Sequence, residues 1–311
     1  MKRVILTSSA GVGLALADRA DMVVPFIYRF VSGPLPTPDH LNDYLGARWP
    51  SNEMHWSDCV RVRQSPLLSR RDRAGGLLWV CETYGVDFIE LWFDPEPNSQ
   101  LQLIWILGYL RSHPVIAERL KLRLVDFDLQ DADPGELRHR DVRELDVTES
   151  DFEIADMAWE AYRAPTPELC AGLLHRPLGK LSFLKPAVED LLAELPSPAT
   201  GLGATETLLL ERIAGGHNRT DELFRPDALG TRVFDPWELG TLLEGLAFGP
   251  APAIAGLDGK LATLDPDNAR SRNAAFRRSR LSLTEFGDGG PGRFSPSQPD
   301  QTLVGRHASH Q

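Results

Sequence analysis

The sequence predicts an α/β fold, a mostly parallel sheet lengthened by a helical extension, followed by a second domain of helices and a terminal β-hairpin. Three observations carry this. Short β-branched or aromatic runs alternate with helical runs up to residue 147, only helical runs follow from Thr148, and the Pro-, Ser- and Gly-rich stretch "PSPATGLG", 196–203, sets apart a segment with its own pattern. Strands that alternate with helices favour parallel pairing, because parallel neighbours need a crossover between them. The 311 residues exceed what one hydrophobic core usually serves, so two domains are expected.

The elements follow in order. "RVILT" reads as a short buried strand, "SSAGVGLALADR" as a turn entering a helix, and "MVVPFIY" as a second strand, which makes a βαβ opening. "TPDHLNDYLGARWP" has a helical period with Thr37 or Asp39 as N-cap. "VDFIELWF" is a strand, "DPEPNSQLQLIWILGYLRSH" a polar turn and a helix ended by Pro114, with Asn98 or Ser99 as its cap, and "LKLRLVDFDL" another strand. Together these predict a Rossmann-like domain over 1–147. Thr148 and Asp151 form a capping box at the head of "TESDFEIADMAWEAYR", and "TPELCAGLL" and "SFLKPAVEDLLAEL" complete a helical extension over 148–195. After the linker at 196–203, the segment 204–287 offers the helices "ATETLLLERIAGG", "RTDELFRPDAL" and "DPWELGTLLEGLAFGP", then "PAIAGL" and "RSRLSLTEF" as strands. Asp235 and Pro236 supply the cap and first turn of the third helix. Three helices followed by a hairpin is the order of a winged-helix-like domain. Residues 288–311, rich in Gly, Pro, Ser and Gln, read as a disordered tail.

Composition narrows the function classes. The net charge of -11 argues against a protein that coats nucleic acid non-specifically, because phosphate neutralisation needs a clustered positive surface. Cys59, Cys81 and Cys170 stand far apart in no zinc or disulfide spacing, which points to a reduced, cytoplasmic protein. Lys2 and Arg3 before an apolar stretch imitate a signal peptide, but Thr7, Ser8 and Ser9 interrupt it. The most apolar run, "LQLIWILGYL", is too short to span a bilayer, so no membrane association is expected. The sequence carries no GxSxG, HExxH or P-loop, and its eight His are scattered, so neither an enzyme class nor a metal or cofactor is defined.

Three places attract a ligand reading. Ser8 and Ser9, before Gly11 and Gly13, either cap the following helix or turn their hydroxyls to a phosphate or carboxylate. Arg29 lies past the second strand, where ligands of open α/β sheets bind, and either pairs structurally or orients an anion. Asp94, Glu96, Asn98 and Gln100 occupy the turn after the Trp-containing strand, with Asp126 and Asp128 at the end of the next. In the C-terminal domain the third helix offers Asp235, Glu238 and Glu244 and none of the donors that read base edges. Arg270, Arg272, Arg277, Arg278 and Arg280 cluster in the expected wing, where they either pair with carboxylates of the chain or grip phosphates without base readout.

The stretches "VILTSSAGVGLA", "SGPLP" and "LWFDPEPNSQLQLIWILGYL" resemble the bacterial domain-of-unknown-function family numbered 1835, and "GATETLLLERI", "DPWELGTLLEGLAF" and "RRSRLSLTEFG" resemble its accompanying C-terminal domain. The resemblance implies the same two-part architecture and carries no established activity. Thr7-Ser8-Ser9 stand where that family has Gly-Asp-Ser, Arg29 where it has an acidic residue, and Ser99 where it has Asp before Gln100-Leu101. Relatives continue past "LTEFG" toward a Trp-Trp run, and "SQPDQTLVGRHA" is encodable by codons that spell such a run one nucleotide over. The expectation is a frameshift near Gly287, and coding DNA without the Trp-Trp run in the shifted frame overturns it. Two function classes follow: a binding or regulatory protein whose α/β domain holds a small anionic ligand or nucleotide and whose winged helix docks protein or DNA, and an enzyme acting on a nucleotide or phosphoester.

Overall fold

A computed structural model gives the structure of the protein, described for residues 2–8, 10–26, 28–33, 35, 61–62, 78, 81–82, 86–224, 233–258 and 269–288. Ser9, the expected helix at 37–50, Cys59, the second half of "RTDELFRPDAL" and the tail from 289 lie outside the described residues. The chain forms two compact units. The first holds the described residues up to Phe30 and from Leu35 to Glu189, and the second holds Val31–Gly33 and those from Asp190 onward.

The first unit is α/β, as the alternation of patterns predicts. Among the described residues its strands are β1 (Arg3–Thr7), β2 (Met22–Pro25), β3 (Arg61–Val62), β4 (Phe88–Phe93), β5 (Leu120–Leu124) and β6 (Leu145–Asp146), in the sheet order β3-β2-β1-β4-β5-β6. β2, β1, β4 and β5 run parallel, and β3 and β6 close the edges antiparallel. The central strands are buried on both faces, which is why "RVILT" and "FIELWF" read as near-continuous apolar runs rather than alternating ones.

Helix α1 (Ala10–Ala15) follows β1, while α2 (Pro97–Arg111) and the short α3 (Pro114–Ala117) join β4 to β5, and α4 (Pro134–His139) precedes β6. One sheet face packs Ile5, Val23, Trp92 and Val125 against Val12, Leu16 and Leu137. α2 is buried nearly all round, against β4 and against α5 (Glu149–Arg163). Small residues permit that close helix pair: Ala155 and Ala158 are buried, and a Cβ on Gly108 would lie 2.9 Å from an Asp156 carboxylate oxygen. The expected capping box holds, since Asp151 accepts from the Thr148 N–H at 2.8 Å and from its hydroxyl at 2.6 Å. α6 (Glu168–Leu173) and α7 (Leu184–Ala193) complete the helical extension.

In the second unit, "PSPATGLG" is a tightly bonded turn. Ser197 N–H donates to Leu202 O at 3.0 Å, and Glu194 receives the Thr205 N–H and hydroxyl at 3.1 and 2.6 Å. Beyond it come α8 (Ala204–Ala214), α9 (Thr220–Leu223), α10 (Pro236–Phe248), β7 (Ile254–Ala255), α11 (Ala269–Arg278), β8 (Ser282–Leu283) and α12 (Glu285–Asp288). Leu209, Ile213, Leu223, Leu243, Ile254, Phe276 and Leu281 make their common core. One expectation is corrected: "RSRLSLTEF" is not one strand from its start. Arg277 and Arg278 end a helix that begins at Ala269, and strand pairing is confined to Ser282–Leu283, opposite Ile254–Ala255. "ARSRNAAFRR" holds no β-branched residue and is dominated by Ala and Arg, both strong helix formers, so the helix wins up to Arg278. Among the described residues, no helix is long and apolar enough to cross a membrane.

Candidate functional site at the carboxyl edge of the sheet

β1 has β2 on one side and β4 on the other, so the strand order reverses between β1 and β4, and the crevice outside their carboxyl ends is where open α/β sheets take ligands. The register pairs Thr7 with Trp92, which brings Ser8 beside Phe93 and Asp94. Thr7 fixes this edge by donating its hydroxyl to Trp92 O at 2.9 Å. Ser8 is buried, and its Oγ meets no hydrogen-bond partner among the described residues, so it does not act as the cap of α1.

The turn after β4 brings the predicted residues together, each with a distinct role. Asp94 is almost wholly buried, and burial raises its pKa against hydrogen bonds from Ser99 and from backbone N–H groups. Its carboxylate accepts from the N–H of Leu129 at 3.1 Å and of Glu96 at 3.3 Å, tying the ends of β4 and β5 together. Asn98 accepts from the Phe30 N–H at 2.7 Å and donates to Tyr28 O at 3.0 Å; one helical turn on, Gln102 donates to the same carbonyl at 2.5 Å. Gln100 donates to Asp94 O at 2.6 Å, and its own buried carbonyl oxygen has no partner among the described residues. Asn98, Gln100 and Gln102 are thus clamps that fix the ends of the strands. Asp126 is not part of the crevice: its side chain is 81% exposed, 3.9 Å from Arg140.

The clamps hold Arg29 in place. The segment Tyr28–Phe30 is further pinned by Tyr162, whose hydroxyl donates to Phe30 O at 2.5 Å, and by Phe30 against Trp159 at 5.4 Å between ring centres. Arg29 then lies 3.3 Å from Glu96, with side chains 13% and 8% exposed. Glu96 also accepts from the Ser99 N–H at 2.7 Å and is the N-cap of α2, in place of the Asn98 or Ser99 expected from sequence. Pro97 decides this: without an N–H it suits the first helical position, which makes the preceding residue the cap. Burial pushes the Glu96 carboxyl up to about 7, although Arg29 holds it down, while Asp94 adds to the rise. Glu-Pro at a helix start was the signal that marks Glu96, and it was visible in the sequence.

A second charged group, not singled out from sequence, lies within the sheet on the face of α1 and α4. Glu90, in the middle of β4, accepts from the Trp92 indole N–H at 2.7 Å and pairs with Arg3 at 3.1 Å and Arg123 at 3.2 Å. Arg19 stacks over Trp92 at 4.6 Å and donates to Arg140 O at 2.8 Å. This is a buried carboxylate satisfied by its neighbours, which is the condition for keeping a charge inside a sheet. Among the described residues, no three His, Cys, Asp or Glu side chains are grouped to hold a metal.

In the second unit the five expected arginines lie close in the chain, Arg270, Arg272, Arg277 and Arg278 on α11 and Arg280 just before β8. Arg277, Arg278 and Arg280 are exposed, and Arg278 donates to Ala274 O at 2.9 Å. α10 presents exposed Trp237 and Phe248 and is capped by Asp235, whose carboxylate accepts from the N–H groups of Trp237 and Glu238 at 2.9 and 2.8 Å. No protein-family model matches the chain, and no curated protein matches it either.

Proposed function

We propose that this is a cytoplasmic ligand-binding or regulatory protein, whose α/β unit takes a small anionic ligand or nucleotide at the crevice between β1 and β4. The observation that carries the reading is a guanidinium, Arg29, held 3.3 Å from Glu96 in the turn after β4, at the carboxyl edge of the sheet where β1 is followed by Ser8, whose buried hydroxyl has no partner among the described residues. A fixed guanidinium recognises carboxylate and phosphate oxygens geometrically, at the place where this class of sheet binds ligands.

The second unit fits a winged-helix-like docking module. Among the described residues α8, α9 and α10 precede the antiparallel pair of β7 and β8, α11 lies between the two strands, and an Arg219–Arg280 bridge supplies the place of a third strand. α10 is acidic where DNA readers carry base-edge donors, which favours a protein partner over a DNA sequence. The resemblance to family 1835 belongs to this proposal and agrees with the two-part organisation.

The second reading, an enzyme acting on a nucleotide or phosphoester, is favoured by Glu96, a carboxyl in the same crevice poised near 7, where acid–base catalysis is efficient. A thermal-shift screen with nucleotides and small anions separates the two. Stabilisation that Arg29→Ala abolishes, without substrate turnover, is the outcome for a binding protein. Turnover that Glu96→Gln abolishes makes it an enzyme. No stabilisation by any of these ligands removes the crevice from consideration.

A further inference from the structure

Among the described residues, carboxylates and a guanidinium meet in the turn after β4. Asp94 and Glu96 lie there with the guanidinium of Arg29, and Asp128 acts on Asp94 from beyond β5. Asp94 is bound on both oxygens by the N–H groups of Leu129 and Glu96, so it stays where it is. Glu96 is held on one oxygen by the Ser99 N–H and on the other by Arg29. The charged groups that act on Glu96 are Arg29, from the segment after β2, and Asp94, at the end of β4; the first turn of α2 contributes only backbone N–H groups. An anion that reaches Arg29 therefore brings a further negative charge against two carboxylates that water scarcely screens. Like charges at such range are costly in a poorly solvated site, and protonating one of them is the ordinary relief. Glu96 is the one placed to accept that proton, since its carboxyl already titrates near neutrality. Once protonated it releases the guanidinium and turns from a competitor into a hydrogen-bond donor.

We propose that Glu96 is a built-in counter-anion of Arg29, and that a small anionic ligand, a carboxylate or phosphate monoester, binds by displacing it with uptake of one proton at Glu96. This rests on the anion-binding reading of the crevice. The proton comes from solvent, no covalent bond changes, and the ligand and Glu96 exchange places at the guanidinium.

Sulfate is the probe, because its own charge stays constant from about pH 6 to about pH 8.5 while carboxyls near neutrality titrate. Calorimetric titration of the full chain is expected to give a sulfate affinity level below about pH 7 and falling about tenfold per pH unit above it. Repeating the titration in buffers of different ionisation heat is expected to show uptake of about one proton at the upper end of the range. Glu96→Gln is expected to bind sulfate with no pH dependence and no proton uptake, and Arg29→Gln not to bind it. Binding that is flat with pH in the unmodified chain, or that keeps its pH dependence in Glu96→Gln, overturns the coupling while leaving an anion site standing. If neither sulfate nor a nucleoside monophosphate binds at any pH, with both variants shown folded by circular dichroism, the anion site itself falls and the coupling falls with it.

Discussion

Glu96 links the chemistry of the crevice to the stability of the fold. Its carboxyl stands at about 7 in the folded chain against an ordinary 4.5, with burial as the largest cause. A group that holds its proton more tightly when folded stabilises the fold fully below its unfolded pKa, and that contribution disappears as pH rises through the folded one. Glu96 is thus expected to favour the folded state near pH 4.5 and to cease doing so by about pH 7, a change of order 2–3 kcal/mol across that window. Urea denaturation of the unmodified chain and of Glu96→Gln, run in parallel between these limits, checks this. The stability difference between the two should shift in favour of the variant as pH rises; a difference that stays constant would show that Glu96 keeps its ordinary pKa. The same residue marks a limit of sequence reading. The turn was visible as a cluster of polar side chains, but which of them faced Arg29 depended on where α2 starts, and Pro97 settles that start.

At the scale of elements, the strands were legible because β4 and its neighbours are buried on both faces, so their apolar runs are uninterrupted. The helix caps at Thr148 and Asp235 were legible for a local reason, since a capping residue acts within its own turn. α11 was not, because its last arginines stand only a few residues before the strand at Ser282–Leu283, and no Gly or Pro separates the two. Nor was the clamp role of Asn98, which depends on a segment some seventy residues away by sequence and adjacent only in the fold. The cap of α10 gives the test at this scale. Asp235 satisfies two N–H groups, and Glu238 reaches back to the Asp235 N–H at 2.9 Å. Removing such a cap typically costs about 1 kcal/mol, occasionally about 2. Asp235→Ala is expected to lower stability by that amount in chemical denaturation, with Asp235→Ser recovering most of it. An Asp235→Ala variant as stable as the parent would mean that packing alone holds the helix start.

At the scale of the whole molecule the question is whether an acidic chain with one basic segment binds nucleic acid. The net charge of -11 repels a polyanion at long range, whereas 269–280 carries five arginines and no acidic residue. Both effects weaken with salt, but the close contacts of α11 survive to higher ionic strength than the repulsion between distant charges, which is screened within about 10 Å at 0.1 M. Among the described side chains of this segment, Arg277, Arg278 and Arg280 are exposed. If each neutralises one phosphate of a duplex, the logarithm of affinity should fall with the logarithm of salt at a slope of about -3. α10 carries none of the Arg, Lys, Asn or Gln donors that make the commonest base contacts, so scrambled and native sequences of equal length should bind alike. Fluorescence anisotropy with a labelled duplex across a salt series measures both quantities. Arg277→Glu with Arg278→Glu is expected to abolish the binding without loss of helical signal, because both side chains are exposed at the end of α11. A slope near zero would take nucleic acid away from this unit and leave a protein partner for α10. A clear preference for one sequence would contradict the argument from α10 and require base contacts from another part of the chain.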